Sequence, residues 1–461
     1  MQMPDQPTGD DAGATSRLLD FCEALHWDQL DEAVRHSARR HLLDTVGVMI
    51  QGSIGEIAGR AERVLADVRG PGSVPVPGRQ RRADILDAAY LAGTAGHGIE
   101  LDDGYRQGSV HPAVCVIPSA LYAAHGRAVG GKQLLAAIVA GYEVMTAVAF
   151  ASHPAMRHQG FHPTGVVGVL GAVAAAGRLF GLERRELANA FGIAASGGAG
   201  LFAFINGGTD VKRLHAGHAA REGLHAALLA RAGAGGPPNV DEGRDGFLQA
   251  FAYGTSDQRP VTLPPEVPFR ITDCYIKPYA CCRHLQPAVE ALITLLDAEA
   301  IAESEIRKVQ VETYAISAAH ANTGWDEYAS AQLSFPYIMA LGMRYRKIKV
   351  AYFEDEVRSD PSLGALCSLV HVEVAPDLDR QYPSLRPARV TVTTERGIFR
   401  GAASEALGSR QIPFSDDRLG EKFMEMAAPV LGETAAADLL AQLWRIEDVA
   451  DITPLLEACA L

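Results

Sequence analysis

The stretch Gly160-Phe161-His162-Pro163-Thr164-Gly165 is followed directly by an almost uncharged run of glycine, alanine and valine, from Val166 to Ala176. Proline is well tolerated in the first turn of a helix, so Pro163 and Thr164 predict the start of a buried helix. His162 then lies at the N-terminal end of that helix, where the backbone dipole favours anions. It is either a site residue or a helix-flanking histidine with a structural hydrogen bond, and the stretch alone is compatible with both.

The composition is that of a large folded protein. The chain has 461 residues, of which 48% are hydrophobic and 21% charged, and this length predicts two domains. The net charge is −13 and the basic runs are short. Binding to nucleic acid or to an anionic membrane surface is therefore not expected.

Cysteine usage and the apolar segments predict the cellular setting. The seven cysteines are odd in number and irregularly spaced, without a secretory signal, which predicts a reduced cytoplasmic compartment. The first 15 residues are polar and predict a loose tail. Leu134 to Ser152 is nearly all apolar, but Tyr142 and Glu143 interrupt it. We therefore expect a buried core helix there rather than a membrane span.

The periodicity of apolar residues divides the chain into two parts. Up to about residue 255 it predicts helices, over Leu30–Val48, Ile85–Ile99, Pro112–His125, Lys132–Ala151, Thr164–Phe180, Arg184–Ala194 and Gly217–Ala232. Beyond Pro260, alternation predicts strands of one half-buried sheet, over Lys308–Thr313, Val370–Val374 and Arg389–Thr393. Helices are predicted between and after these strands, over Pro287–Ala298, Ala331–Met343, Asp417–Met426 and Glu433–Trp444.

These patterns predict a mainly α protein with a large helical domain and a smaller α+β lid domain. We place the lid at residues 268–404 and the helical domain at residues 1–267 and 405–461, so that the helical domain is discontinuous. The glycines at 165, 168, 171 and 177 are spaced somewhat like a dinucleotide-binding motif. Since no strand precedes them, close helix packing is the better explanation.

Four segments concentrate side chains that could perform chemistry. They are His97-Gly98-Ile99-Glu100-Leu101-Asp102-Asp103 with His111-Pro112, the stretch around His162, Gly207-Gly208-Thr209-Asp210-Val211-Lys212-Arg213-Leu214-His215-Ala216-Gly217-His218, and Lys277-Pro278-Tyr279-Ala280-Cys281-Cys282-Arg283-His284. Adjacent carboxylates followed by a histidine are typical of an acid/base site. A lysine in a turn after two glycines suits an anion site.

Each of these segments also has a purely structural interpretation. Asp102 and Asp103 are suitable turn residues at a helix end, Lys212 and Arg213 could be solvated surface charges, and residues 277–284 could form a polar turn between domains. Cys281, Cys282 and His284 are too crowded for a usual tetrahedral metal site, and no second cysteine pair completes one. We therefore predict no metal and no cysteine nucleophile.

The order of these segments resembles the MmgE/PrpD family, which includes 2-methylcitrate dehydratase, cis-aconitate decarboxylase and iminodisuccinate epimerase. The resemblance runs from about residue 17 to 450, with further landmarks at Gly141-Tyr142-Glu143, Ser334-Phe335-Pro336-Tyr337 and Lys422-Phe423. It implies a homodimer whose site lies in the cleft between a helical domain and a lid, and catalysis without metal or organic cofactor. It also implies site histidines at His111 and His162, a lysine at Lys212, and an aspartate at Asp102 or Asp103.

The reactions of the family share the loss of a proton next to a carboxylate, which needs a base and positive charge near the developing oxyanion. We expect His162 and His111 to act as acid and base, Asp103 or its neighbour Asp102 to orient or protonate, and Lys212 to stabilise the anion. Substrate carboxylates would be bound by Lys277, Arg283, His284, Arg213 and Tyr337.

The first expectation is a lyase that removes water from a small di- or tricarboxylate, as 2-methylcitrate dehydratase does. Gly104-Tyr105-Arg106 stands where the decarboxylase branch often has a Thr-Trp-like pair, and Cys282 falls where that branch has a histidine. The alternatives are an epimerase or isomerase of an iminodisuccinate-like dicarboxylate, a cis-aconitate decarboxylase-like enzyme and, more remotely, a non-catalytic carboxylate-binding protein.

Overall fold

The computed structural model describes residues 13–206, 209–240, 245–252 and 259–461, and it is mainly helical. The helices that precede the lid are α1 (Ala14–Ala24), α2 (Glu32–Ser53), α3 (Glu56–Val68), α4 (Ile85–Gly98), α5 (Ala113–Ala124), α6 (Gly131–Ser152), α7 (Ala155–His158), α8 (Pro163–Phe180), α9 (Arg184–Ser196), α10 (Val211–Arg231) and α11 (Phe247–Ala252). A short antiparallel ribbon, β1 (Val74–Pro75) and β2 (Arg82–Ala83), lies between α3 and α4.

The second part of the chain mixes helices with a sheet. Its elements are α12 (Gln286–Ala298), β3 (Ile306–Thr313), α13 (Ala315–Ala318), α14 (Tyr328–Ala331), α15 (Phe335–Tyr345), α16 (Asp355–Arg358), α17 (Pro361–Cys367), β4 (Val370–Val374), α18 (Pro376–Asp379), β5 (Ala388–Thr394) and β6 (Gly397–Ala403). The chain then ends in α19 (Asp416–Leu431), α20 (Glu433–Trp444) and α21 (Thr453–Ala458). The mainly α class with a smaller α+β part is confirmed.

The centre of the large domain is formed by α5, α6 and α8, which are buried almost throughout. A helix that is apolar on every side needs this position, because it has no polar face for water. Both α6 and α8 are long and apolar enough to cross a membrane, but most of each lies inside the fold. The core helix predicted over Leu134–Ser152 is confirmed.

The glycines of α8 allow neighbouring helices to approach closely. A Cβ atom at Gly171 would lie 2.8 Å from the carbonyl oxygen of Gly141 on α6, and one at Gly168 would lie 2.7 Å from the sulfur of Cys115 on α5. Real Cβ atoms do not make such contacts, so larger residues would push these helices apart. The prediction of close helix packing, rather than dinucleotide binding, is confirmed.

The lid is built on a four-stranded sheet in the order β4-β3-β5-β6. β3 pairs in parallel with β4 and antiparallel with β5, which in turn pairs antiparallel with β6. Alternate residues of β5 are buried, as the sequence pattern predicts for a half-buried sheet. The sequence analysis missed β6, whose residues are not alternately apolar.

The last helices return to the large domain. α19 packs on α2, and the ammonium of Lys422 donates to Asp44 Oδ1 at 2.6 Å and to the carbonyl of Leu101 at 3.1 Å. The boundaries at 267/268 and 404/405 stay a prediction. Of the predicted loose tail, residues 1–12 lie outside the described residues. The prediction was wrong for Ala14 and Thr15, which begin α1 because both are buried against the core.

Candidate active site

The segment between α4 and α5 places several carboxylates inside the protein. We call residues 99–103 the acidic loop. Glu100 has φ of 56°, a left-handed conformation that is costly for a residue with a side chain. Its buried carboxylate accepts hydrogen bonds from two ammonium groups, those of Lys212 and of Lys277, the latter at 3.1 Å. These ion pairs oppose the strain and fix the direction of the loop.

Asp102 is the meeting point of two histidines and a lysine. Its Oδ2 atom lies 2.8 Å from Nδ1 of His97 and 2.9 Å from Nδ1 of His111, and its Oδ1 lies 3.5 Å from Nζ of Lys277. Burial alone would raise the pKa values of Asp102 and Glu100, but the adjacent lysines and histidines hold both well below the usual range. Both side chains are therefore carboxylates at neutral pH.

One ring nitrogen of His111 is held by hydrogen-bond acceptors, and the other has no partner among the described residues. Its Nδ1 lies 2.6 Å from the carbonyl oxygen of Asp103 as well as near Asp102, and both neighbours only accept hydrogen bonds. We assign the proton of neutral His111 to Nδ1 on this ground, which leaves a lone pair on Nε2. A carboxylate behind an imidazole orients the ring and stabilises its protonated form, as required of a general base.

Asp103 has a different task from Asp102. Its Oδ2 accepts a hydrogen bond from the hydroxyl of Tyr142 at 2.8 Å, and its Oδ1 accepts one from the backbone N–H of Ala113 at 3.1 Å. The carboxylate therefore ties the acidic loop to α6 and to the start of α5. Of the two aspartates that the sequence left open, the structure brings Asp102 to His97 and His111, whereas Oδ2 of Asp103 lies 3.0 Å from Nδ1 of His41.

His162 occupies the N-terminal end of α8, as predicted from Pro163. Its backbone N–H donates to the carbonyl of Gly200 at 2.9 Å, and its Nδ1 lies 3.0 Å from Nδ1 of His215. Burial, together with the neighbouring imidazoles of His97 and His215 and the ammonium of Lys212, lowers its pKa well below the usual value. His162 is therefore neutral at neutral pH and can accept or pass on a proton.

The rings of three histidines lie together. The ring centre of His97 is 4.9 Å from that of His111 and 6.0 Å from that of His162. The rings of His97 and His162 are stacked. Lys212 is close enough to lower the pKa values of both His97 and His162. The structure thus brings together His111, His162, Lys212, Lys277 and Asp102, which come from distant parts of the sequence.

Lys212 and Arg213 lie in the first turn of α10. The prediction that Lys212 lies in a turn before the helix was wrong, because the helix already begins at Val211; Gly207-Gly208 lies outside the described residues. Arg213 is buried and donates to the carbonyl of Gly98 at 3.0 Å and to Oε1 of Gln332 at 2.8 Å. It joins α10, the end of α4 and the lid, so neither residue is the solvated surface charge of the structural interpretation.

The other predicted binding residues lie in the lid, where each makes hydrogen bonds within the protein. The Nδ1 atom of His284 lies 2.6 Å from the hydroxyl of Tyr314, and Arg283 donates to the backbone carbonyls of Ala406 and Leu407. Tyr337 is fully buried in the lid core and donates its hydroxyl to the carbonyl of Tyr352 at 2.5 Å. The structure does not bring Tyr337 to His97, His111 or His162.

Sequence reasoning did not select several residues of this site. Glu100 and His97 lie within the quoted segment, and their signal was the density of charged residues in a buried run. His320 had no local signal, yet its Nε2 lies 4.0 Å from the sulfur of Cys282. Burial opposes ionisation of this thiol, but His320 lowers the pKa of Cys282, and the thiol raises the pKa of His320. The pair joins the segment Lys277–His284 to a residue 38 positions further along the chain.

His97, Asp102 and His111 present potential metal-ligand atoms within 4.8 Å of one another. Both imidazoles address the same oxygen of Asp102 at hydrogen-bond distance, and Lys277 places positive charge near the other oxygen. We interpret the group as a hydrogen-bonded network in which the ammonium of Lys277 supplies the positive charge that a metal ion would otherwise bring. Catalysis without a metal stays a prediction.

Two protein-family models match the two parts of the chain separately. Residues 16–259 match the MmgE/PrpD N-terminal domain and residues 279–446 match the MmgE/PrpD C-terminal domain. A cis-aconitate decarboxylase-like protein of Aspergillus oryzae is 26% identical over 470 residues, which cover 97% of each chain. The cis-aconitate decarboxylase of Homo sapiens is 26% identical over 94% of this chain and 92% of its own. The 2-methylcitrate dehydratase of Cupriavidus necator is 24% identical over 75% and 74%.

Proposed function

The chain belongs to the MmgE/PrpD family, and from this premise we propose that it is a lyase that acts on a small di- or tricarboxylate through a carbanion next to a carboxylate. The observation that carries the proposal is the contact of 2.9 Å between Asp102 and His111 beside two buried lysines. It combines a base with positive charge, and carbanion chemistry next to a carboxylate needs both.

In the proposed reaction, Nε2 of His111 removes a proton from the carbon next to a substrate carboxylate. The electron pair moves into that carboxylate, and the growing negative charge is stabilised by Lys212 and Lys277. Both ammonium groups are already positioned by Glu100, so they need little reorganisation when the charge develops. Preorganised charge of this kind is typically the largest contribution to catalysis.

Dehydration completes this sequence when the substrate carries a hydroxyl on the neighbouring carbon. The electron pair of the carbanion forms a carbon–carbon double bond while hydroxide leaves and takes up a proton, so that the products are an unsaturated acid and water. His162 is the second imidazole of the cluster. Because it is neutral and has no extra proton to give, we assign to it the relay of the proton that His111 removed, which passes through His162 to the leaving hydroxide. A 2-methylcitrate-like hydroxy acid is the expected substrate class.

Decarboxylation is the second candidate, and the comparison favours it on one point. The cis-aconitate decarboxylases match 92–97% of their own length, whereas the dehydratases match 64–74%. In this reaction the carbon–carbon bond to a carboxylate breaks, carbon dioxide leaves, and the remaining electron pair is stabilised by the same lysines and then protonated. The proton that replaces the lost carboxylate comes from solvent water by way of His111 or His162.

The test is proton NMR of the purified protein in deuterated buffer with 2-methylcitrate, citrate and cis-aconitate, each in a separate tube. Dehydration would produce a new vinylic or allylic signal, decarboxylation would produce itaconate-like methylene signals with release of carbon dioxide, and an epimerase would exchange a proton without net product. His111→Asn should abolish whichever reaction occurs, while His371→Asn on the exposed strand β4 should leave it unchanged.

The outcome that contradicts the proposal is a folded protein that neither exchanges nor converts any of these acids. Thermal stabilisation by the same acids without turnover would then support the non-catalytic carboxylate-binding alternative.

A further inference from the structure

A polar cavity of about 390 Å³ lies between the large domain and the lid, apart from the acidic loop and its histidines. The chemically important part of its lining is a set of four arginines and two carboxylates: Arg106, Arg283, Arg386, Arg410, Asp273 and Glu405. The large domain contributes Arg106, which follows the acidic loop. The lid contributes Arg283, after Lys277, and Arg386, directly before β5.

The two carboxylates of this cavity are already paired. Glu405 accepts a hydrogen bond from Arg106, and Asp273 accepts one from Arg410. Among the described residues, no carboxylate lies within ion-pair distance of Arg283 or Arg386. The cavity therefore holds two guanidinium groups more than its own acids can balance.

The two unbalanced arginines differ in how their N–H groups are used. Arg283 donates to the carbonyl oxygens of Ala406 and Leu407 at 3.1 and 3.0 Å and to Oε1 of Gln286 at 2.7 Å. Arg386 makes no hydrogen bond to any described residue, although it is only 7% exposed and its Nε is fully buried. Arg386 thus brings N–H donors into the protein without acceptors for them.

A buried charge without a partner is costly, and so is a buried donor without an acceptor. Burial lowers the pKa of Arg283 to about 10, yet both guanidinium groups remain charged at neutral pH. An anion in the cavity would remove both penalties at once. A planar guanidinium favours a carboxylate, which it can bind through two parallel hydrogen bonds.

The position of the cavity connects it with the acidic loop. Tyr275 lines the cavity, and its ring lies 4.6 Å below the guanidinium of Arg283. The backbone of Tyr275 pairs with that of Gly104, the residue after Asp103, through hydrogen bonds of 3.1 and 2.9 Å. A Cβ atom at Gly104 would lie 2.3 Å from the hydroxyl oxygen of Tyr275, so only glycine allows this contact. The cavity and the acidic loop thus share a wall.

We propose that this cavity is a carboxylate-binding site whose principal ligand is Arg386, with Arg283 as a second positive charge. The carboxylate belongs either to the substrate, at the end remote from the reacting carbon, or to a separate free polycarboxylate. The binding itself does not depend on the proposed reaction, because the argument uses only the charges and donors of the cavity.

The test is calorimetric titration of the full-length protein with tricarballylate, a tricarboxylate without a hydroxyl group or a double bond. Arg386→Met should raise its Kd by roughly 30-fold or more, since one partner of a buried charge pair is lost. Arg386→Lys, which keeps the charge, should recover part of the affinity. Arg445→Met is the control: Arg445 is not part of the cavity lining, is 79% exposed and pairs with Asp448, so the Kd should stay within about twofold.

Thermal unfolding without added anions separates a binding role from a structural one. Arg386→Met should unfold at the same temperature as the wild type or above it, because an unbalanced buried charge is removed. It should also lose the stabilisation that tricarballylate gives the wild type. An unchanged Kd in Arg386→Met, or a lower unfolding temperature without ligand, would overturn the proposal.

Competition distinguishes the two sources of the carboxylate. If the site holds one end of the substrate, tricarballylate will be displaced by a substrate bound to the inactive His111→Asn variant, and Arg386→Met will raise KM with little change in kcat. If the site holds a separate polycarboxylate, both molecules will bind together. Absence of turnover with every acid would refute the proposed function while leaving this titration to be judged by itself.

Discussion

The acidic loop and the arginine cavity are two buried groups of charges on either side of Gly104 and Tyr275, and they are balanced in opposite ways. In the acidic loop, Glu100 and Asp102 are neutralised by Lys212, Lys277 and two histidines. In the cavity, no carboxylate of a described residue lies within ion-pair distance of Arg283 or Arg386. The balanced group positions its own members before a substrate arrives, whereas the unbalanced group requires a ligand to complete it.

The largest effect is expected from Lys277→Met, which breaks the balance of the acidic loop. Two buried carboxylates would share fewer cations, and loss of one partner of such a pair costs about 3–5 kcal/mol of unfolding free energy. Turnover should fall with it. Urea denaturation measures the effect, and Lys347→Met is the control, because Lys347 is 61% exposed and pairs with a surface glutamate, Glu425. Equal stability of the two variants would contradict the balance described here.

Asp102→Asn tests the contact between Asp102 and His111 while keeping the size of the side chain. We expect kcat to fall by about 10²–10⁴-fold, because an amide cannot stabilise protonated His111 as a carboxylate does. His111→Asn should cause a loss of similar size, and the double variant should lose little more, since the two residues act as a unit. Additive losses in the double variant would show that Asp102 and His111 work separately. Circular dichroism checks that each variant is folded.

Stability should fall as the pH decreases from about 7.5 to 5. Burial lowers the pKa of His97 to about 4, so the unfolded chain binds a proton below pH 6.5 that the folded protein refuses. This difference removes about 2 kcal/mol from the unfolding free energy at pH 5 for His97 alone. His162, His284 and His153 act in the same direction. Glu143 opposes them, because burial raises its pKa to about 7 and its protonation then favours the folded protein as the pH falls.

The measurement is urea denaturation at pH 7.5 and at pH 5, and His97→Asn should show a smaller difference between them. Below about pH 4 the contributions of Glu100 and Asp102 should be lost as well, because their pKa values are lowered in the folded protein. A pH dependence that is the same in His97→Asn as in the wild type would refute the assignment of a neutral buried His97.

The smallest effect is expected from Tyr337→Phe, which lies outside both charged groups. The variant loses one buried hydrogen bond, to the carbonyl of Tyr352, and should be destabilised by about 1 kcal/mol. Its kcat/KM should stay within about twofold of the wild-type value. A large rise in KM would restore Tyr337 as a substrate-binding residue, as the sequence predicts.

Local pattern was sufficient for the main helices and for part of the sheet. Strand Val370–Val374 and helix Glu433–Trp444 have the predicted bounds, and α4 ends one residue before the predicted Ile99. In each case the period of apolar residues reports which face is buried. The sequence pattern did not predict β6, because Gly397–Ala403 owes its extended form to pairing with β5 rather than to its own side chains.

Sequence by itself determined the mainly helical architecture, the family resemblance, and the candidates His111, His162 and Lys212, because these depend on periodicity and on short segments of unusual composition. Tertiary structure alone decided that Asp102 contacts His97 and His111 while Asp103 contacts His41, that Tyr337 lies in the lid core, and that Arg386 has no carboxylate or hydrogen-bond partner among the described residues. Those outcomes depend on which oxygen or nitrogen atoms meet across the domains, and contacts between residues hundreds of positions apart leave no periodic trace in the chain.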